Sequence, residues 1–394
     1  MSTTYPLVSS YEVAVPESDI ADLRERLART RWPDRETVDD WSQGIPLGYL
    51  QEVCEYWRTE YDWRRFEARI NRFPQGLTTI DGVDIHFVHA PSPHPDATPL
   101  IITHGWPGSV AEYLDVIEPL RDPTNHGGEA SDAYHVVVPS VPGYGFGGKP
   151  TRTGWGVDKI AETWVELMAR LGYDRFLAQG GDWGSRITMS LGIRHSHAVR
   201  GIHLNLAICD PAALRALGEP TEQEQAQLGL IDTYQKWESG YSVQQSTRPQ
   251  TLGYGLTDSP AGQCAWILEK FRVWTDCAGH PENAVSRDHL LDNISVFWFN
   301  ACATSAGRLY WESYESDFGD FTPVEVPTAY SAFQKDALVA SQRWARTRYP
   351  DLRYFTEPSP GGHFAAMEQP ALFVEEVRAG LRTLTDAPVA GQRG

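Results

Sequence analysis

Gly180-Gly181-Asp182-Trp183-Gly184 sets a carboxylate among small residues, after the strand-like run Arg175–Ala178 and before a helical pattern that starts near Ser185. Small residues two places before and after a central residue permit a tight strand-to-helix turn that pushes the central side chain outward. A carboxylate presented in this way can attack an electrophilic carbon and form an ester, which water can then cleave. The same five residues also read as an Asp-capped helix start. His104-Gly105-Trp106-Pro107-Gly108-Ser109 follows the apolar run Leu100–Ile102, and its glycines let backbone N–H groups approach a reacting oxygen. Alone it reads equally as a Gly-Pro turn with a packed histidine. Gly361-Gly362-His363-Phe364 comes late in the chain, where a base for the second half of such a reaction would follow its nucleophile. The acid that orients this histidine should follow a strand between the two. Asp336, just after the strand-like stretch Pro327–Phe333, is favoured by position over Asp317 and Asp320, which precede it; any one of the 52 acids otherwise reads as a surface carboxylate.

These residues need a scaffold that brings distant loops together. Short apolar runs bounded by Pro and Gly, such as Leu100–Ile102 and His135–Val138, alternate with helical patterns near Val110–Leu120 and Gly156–Leu171. The pattern predicts an α/β fold with buried parallel strands and helices on both faces. Residues 1–76 read as helical, with Ser18 as an N-cap and Ile20, Leu23 and Leu27 on one face; a second helix is expected over Leu47–Tyr61. Residues 77–208 read as the first part of the α/β core. The strand signal vanishes over 209–321, where Thr221–Glu238 and Pro260–Trp274 are helical, and an insertion of this kind is expected to form a lid. Residues 322–385 complete the core and 386–394 read as a disordered tail. Gly143, Gly145 and Gly148 match G-x-G-x-x-G, but Lys149-Pro150 and two further glycines, Gly154 and Gly156, follow where a dinucleotide site needs a helix to start. This stretch reads as a Gly-rich active-site loop. His195 and His197 read as solvated side chains without metal-site company.

Composition bounds the partners. Lys and Arg number 34 against 52 Asp and Glu, a formal charge of −18, which argues against binding nucleic acid or anionic lipid. Five cysteines without a C-x-x-C pair argue against a disulfide framework or a Cys-based zinc site and favour the cytoplasm. Met1–Pro16 lacks the pattern of a signal peptide, and no apolar run approaches a membrane span, so no membrane anchor is expected.

Taken together, His104–Ser109, Gly180–Ser185 and Gly361–Ala365 resemble the microsomal-type epoxide hydrolases, and the likeness extends over nearly the whole chain, including the N-terminal helical region and the lid. The resemblance implies an α/β-hydrolase fold with a mostly parallel central sheet, a helical lid insertion and an N-terminal helical extension that wraps the core. It implies Asp182 as nucleophile and His363 as general base. Ser331-Ala332-Phe333 followed by Asp336 fits the stretch that carries the family's charge-relay acid. Glu238–Tyr241 with Thr247-Arg248-Pro249, and Arg308-Leu309-Tyr310, resemble the stretches that carry its two proton-donating tyrosines, here Tyr241 and Tyr310. The oxyanion hole would be the backbone N–H groups of Trp106 and Trp183. The partners implied are a small-molecule epoxide, bulky and apolar or aromatic, and water; no cofactor and no metal is expected, and a homodimer is compatible with the family. Detoxification or natural-product biosynthesis would be the setting. Two other readings compete: a haloalkane dehalogenase with the same Asp nucleophile, and a non-catalytic binding protein on a hydrolase scaffold.

Overall fold

The apolar runs assemble into one nine-stranded sheet in the computed structural model, which describes residues 8–314 and 320–385. The strands are β1 (Ser9–Tyr11), β2 (Gln75–Ile80), β3 (Val83–Ala90), β4 (Thr98–Thr103), β5 (Tyr134–Pro139), β6 (Phe176–Gly180), β7 (Val199–Leu204), β8 (Thr328–Ser331) and β9 (Leu352–Thr356). Their order across the sheet is β1-β2-β3-β5-β4-β6-β7-β8-β9. β1 to β3 join antiparallel, β3 pairs antiparallel with β5, and every pairing from β5 through β4 to β9 is parallel. Helices cover both faces, so β6 is buried along its whole length, as a near-continuous apolar run requires.

The first residues are not helical throughout. Helices span Glu17–Ala28, Leu47–Thr59 and Trp63–Ile70, but Ser9–Tyr11 adds an edge strand to β2, and the expected boundary at 76/77 falls inside β2. Ile20, Leu23 and Leu27 do line the buried face of the first helix. Ser18 does not cap it: the helix starts at Glu17 behind Pro16, and the Ser18 hydroxyl donates to Asp19 Oδ1 at 3.1 Å. β9 carries no clear periodicity because only Leu352 is buried and the rest is half-exposed at a sheet edge. Between β7 and β8 the described residues contain helices and no strand. Pro260–Trp274 is one of these helices, and Glu222–Thr233 starts from a Thr221/Glu224 capping box. The expected tail 386–394 and Asp317 lie outside the described residues. Among those described, no helix is long and apolar enough to cross a membrane.

The N-terminal segment clamps this helical insertion. Asp292, on helix Arg287–Phe299 and 1% exposed at its side chain, accepts from Tyr61 Oη at 2.8 Å and from Arg65 at 2.6 Å, and pairs with Arg69 at 3.5 Å. Burial pushes its carboxyl up to about 6, against the pull of Arg65, Tyr61 and Arg69. Trp57 Nε1 donates to Ser295 Oγ at 3.0 Å on the same helix. Removing the carboxylate takes the near acceptor from Tyr61 and Arg65, while Arg69 keeps Asp115 at 2.6 Å. Asp292→Ala is therefore expected to cost about 2 kcal/mol, below the usual toll for a buried pair because Arg65 is partly solvated. A lower urea midpoint with an unchanged slope is the expected measurement.

Candidate active site

Because β4 to β9 run parallel, their carboxyl ends open at one edge of the sheet. β4 lies between β5 and β6, so the chain leaves it to one side and returns on the other, opening a crevice at that edge. The loop His104–Ser109 follows β4, Asp182 follows β6, Asp336 lies beyond β8, and His363 lies beyond β9.

Asp182 sits at φ +51° and ψ −125° between β6 and helix Trp183–Arg194. For a residue with a Cβ this conformation costs roughly 1–3 kcal/mol and persists only where the surroundings impose it. They do: a Cβ on Gly180 would drive into the Gly184 carbonyl, and one on Gly184 into the Thr103 carbonyl of β4. The capping alternative does not hold, since the Asp182 side chain makes no cap hydrogen bond to its helix. Its Oδ1 instead accepts the Trp106 N–H at 2.7 Å. Gly105 makes this approach possible, because a Cβ there would strike the Asp182 carboxylate. His104 is a packed histidine, as the alternative of a Gly-Pro turn would have it. It is fully buried, its Nδ1 lies 3.1 Å from the Gly105 carbonyl, and its Nε2 accepts the Val141 N–H at 3.2 Å. Burial depresses it to about 4, so it stays neutral.

His363 bridges the two acids chosen from sequence. Its Nδ1 is 2.8 Å from Asp336 Oδ1 and its Nε2 is 3.5 Å from Asp182 Oδ2. The ring is held in place by its backbone N–H, which donates to the Trp274 carbonyl at 2.8 Å. Burial opposes protonation of His363, but Asp336 and then Asp182 outweigh it and hold the imidazole well above its usual range. Asp320 is not in this group; it faces Arg194 at 3.6 Å and accepts from the Thr322 N–H. Two carboxyls that sequence reasoning missed stand behind the histidine. Glu368 accepts the N–H groups of Gly362, Phe364 and Asp276, and burial pushes it up to about 7. Burial pushes Glu112 up to about 8. Among so many acids, nothing in the sequence marks these two.

Tyr241 and Tyr310 come from separate insertion helices, Gly240–Thr247 and Ala303–Ser313, and meet above Asp182 with ring centroids 5.9 Å apart. Both are buried, and desolvation holds both phenols well above their usual range. The tryptophans that sequence analysis valued for their amides also hold these rings. Trp106 stacks on Tyr241 at 4.8 Å, and Trp183 meets Tyr310 edge-on at 4.8 Å. Trp274, not foreseen, closes the layer against Tyr241 and His363. Asp182, Trp183, Tyr241 and Tyr310 open onto a cavity of about 730 Å³ whose farther walls include Leu228, Phe321 and Trp344. The Gly-rich loop does not form a described wall of this cavity. Gly143 accepts the Ser305 hydroxyl, and Tyr144 Oη donates to the Ala306 carbonyl at 3.2 Å, so the loop braces the helix that carries Tyr310. Among the described residues no three His, Cys, Asp or Glu side chains gather as a metal site.

Residues 8–113 match the family described as epoxide hydrolase N terminus, and residues 98–250 match the alpha/beta hydrolase fold. The chain is 50% identical over 377 residues to a Stigmatella aurantiaca protein provisionally assigned as an epoxide hydrolase, covering 96% of this chain and 85% of that one. The chain belongs to the epoxide hydrolase family. It is also 34% identical to epoxide hydrolase 1 of Sus scrofa, over 94% of this chain and 88% of the relative. The family likeness extends to the architecture. The crystal structure of juvenile hormone epoxide hydrolase from Bombyx mori superposes with a TM-score of 0.89 at 30% identity, covering 96% of this chain and 95% of that one. The sheet, N-terminal helices and helical insertion thus form the α/β-hydrolase fold of these epoxide hydrolases.

The closeness of Gly105 to Asp182 gives a direct test of this geometry. Gly105→Ala is expected to displace the carboxylate from the Trp106 amide and lower turnover of an aryl epoxide at least about tenfold, the scale of one lost oriented contact. Circular dichroism melting should show the variant still folded.

Proposed function

We propose that this epoxide hydrolase converts a bulky apolar or aromatic epoxide to a vicinal diol in two steps, through an ester on Asp182. The observation that carries the reading is the Asp182 carboxylate facing a cavity beneath two buried phenols, with the His363–Asp336 pair beside it. In the first step Asp182 attacks an epoxide carbon held roughly 3–3.5 Å away. The carbon–oxygen bond breaks, and the leaving oxygen takes a proton from Tyr241 or Tyr310. Esterification removes the Asp182 charge that helps keep His363 protonated, so the imidazole gives up its proton more readily and its neutral form becomes available as the base. In the second step His363, oriented by Asp336, takes a proton from water, which attacks the ester carbonyl. The backbone N–H groups of Trp106 and Trp183 hold the oxyanion, typically worth about 3 kcal/mol per donor. Collapse releases the diol and the carboxylate, and the remaining proton restores the phenol.

Paired phenols suit a leaving alkoxide, which must be protonated; a halide needs no proton. This favours epoxide over haloalkane chemistry. The apolar cavity supports a bulky apolar substrate. The five free cysteines support a cytoplasmic location, and the exposed Trp237 and Tyr254 of the insertion offer a surface for a homodimer.

Asp182→Ala is expected to abolish diol formation, and His363→Gln to form the ester without hydrolysing it. Intact-protein mass spectrometry after mixing with styrene oxide should show the adduct in the second variant. In wild-type enzyme, one turnover in 18O-labelled water should place label in Asp182 and not in the first diol released; the reverse would mean direct attack by water. Decay of preformed ester should slow as pH falls, because the working base is neutral His363 and acid protonates it. A stopped-flow series that finds faster decay at lower pH would remove His363 from that role.

A further inference from the structure

Tyr241 is not alone in its environment. Tyr234, seven residues earlier, places its hydroxyl 2.9 Å from Tyr241 Oη. It lies where the helix Glu222–Thr233 loosens into a π-helical turn, Tyr234–Glu238, in which the Ser239 N–H donates to the Tyr234 carbonyl five residues back at 2.9 Å. Such a turn inserts an extra residue and re-aims the side chains around it. Tyr234 also borders the cavity that holds Asp182. Burial pushes its phenol up to about 12, so it carries its proton throughout the working range. Tyr310, by contrast, has a buried hydroxyl that makes no close hydrogen bond among the described residues and faces Tyr241 itself. The two phenols above Asp182 are therefore not equivalent.

Building on Tyr241 as a proton donor in ring opening, we propose that Tyr234 is a positioning residue that makes Tyr241 the stronger of the two acids. A phenol has one proton. If Tyr241 directs it at the epoxide oxygen, its own oxygen must accept at the 2.9 Å contact, and Tyr234 is the donor. That arrangement orients the Tyr241 proton toward the cavity. As Asp182 bonds to carbon and the epoxide carbon–oxygen bond breaks, the leaving oxygen takes the Tyr241 proton. The phenolate that remains is held by the Tyr234 O–H, a bond that strengthens as its acceptor gains charge. Hydrolysis of the ester releases one proton, which returns to the phenolate, so the cycle balances. Tyr310 contributes a hydrogen bond from a hydroxyl that lacks such support.

The test uses the full-length chain in the His363→Gln background, where the ester accumulates, and styrene oxide as the probe. The rate of adduct formation is measured by rapid quench and intact mass for Tyr234→Phe, Tyr241→Phe and the double variant. Tyr234→Phe is expected to slow adduct formation about tenfold, the scale of one hydrogen bond to a developing charge. In the Tyr241→Phe background it should slow it less than about twofold, because the residue acts through Tyr241. An equal loss in both backgrounds would mean a packing role and overturn the proposal, as would no loss in the first. If Tyr241→Phe alone reacts at full rate, the assignment of Tyr241 as an acid fails and this inference falls with it. If Tyr241→Phe is slow while Tyr234→Phe is fast, only this inference fails.

Discussion

The turn at Asp182 is the constraint on which the rest of the site depends. A carboxylate can be raised above the sheet edge only by a backbone at φ +51°, a conformation that the chain would not keep in isolation. It is imposed by contact on both sides. Gly184 lies against the Thr103 carbonyl of β4, and Gly180 against Gly184 itself, so no side chain fits at either place. The neighbouring strand then supplies the loop whose Trp106 amide meets the carboxylate. The strain at Asp182 is thus sustained by the pairing of β6 with β4 and β7, which lie at the centre of the sheet.

A second layer holds the helical insertion in register with that turn. Trp106 and Trp183 come from the core, Tyr241 and Tyr310 from the insertion, and their rings interlock by stacking and edge contacts. Trp274, at the end of an insertion helix, supplies the carbonyl that fixes the His363 backbone. The N-terminal segment reaches around to the same insertion through Asp292. The insertion is therefore pinned from two sides, by aromatic packing at the site and by charge at its outer seam.

Charge is distributed very differently inside and outside. The surplus of 18 negative charges describes the solvated surface and most simply favours solubility. Around His363, burial pushes Glu112 up to about 8 and Glu368 to about 7, so at neutral pH the first is mostly protonated and the second about half so. The imidazole is left chiefly to Asp336 and Asp182, one on each ring nitrogen. Two further charged carboxylates there would hold the ring's proton more tightly still.

Much of this was legible from one sequence. The Gly180–Gly184 turn could be read because its sterics act within five residues, and the helix Pro260–Trp274 because its apolar spacing repeats every turn. β9 was missed because an edge strand half-exposed on both faces leaves no periodic trace. Ser18 was misplaced because Pro16, not a side-chain cap, sets where the first helix starts. The Gly-rich loop was assigned to the cavity, although Gly143 serves close packing against Ser305 and Gly148 against the Asp84 backbone. By itself the sequence determined which residue types stand ready at strand ends. The tertiary structure decided which acid faces His363, which rings hold the two tyrosines, and that Tyr234 touches Tyr241. The reason is physical: local sterics and periodicity reach only a few residues, whereas these meetings join segments that only the parallel sheet and the packed insertion bring together.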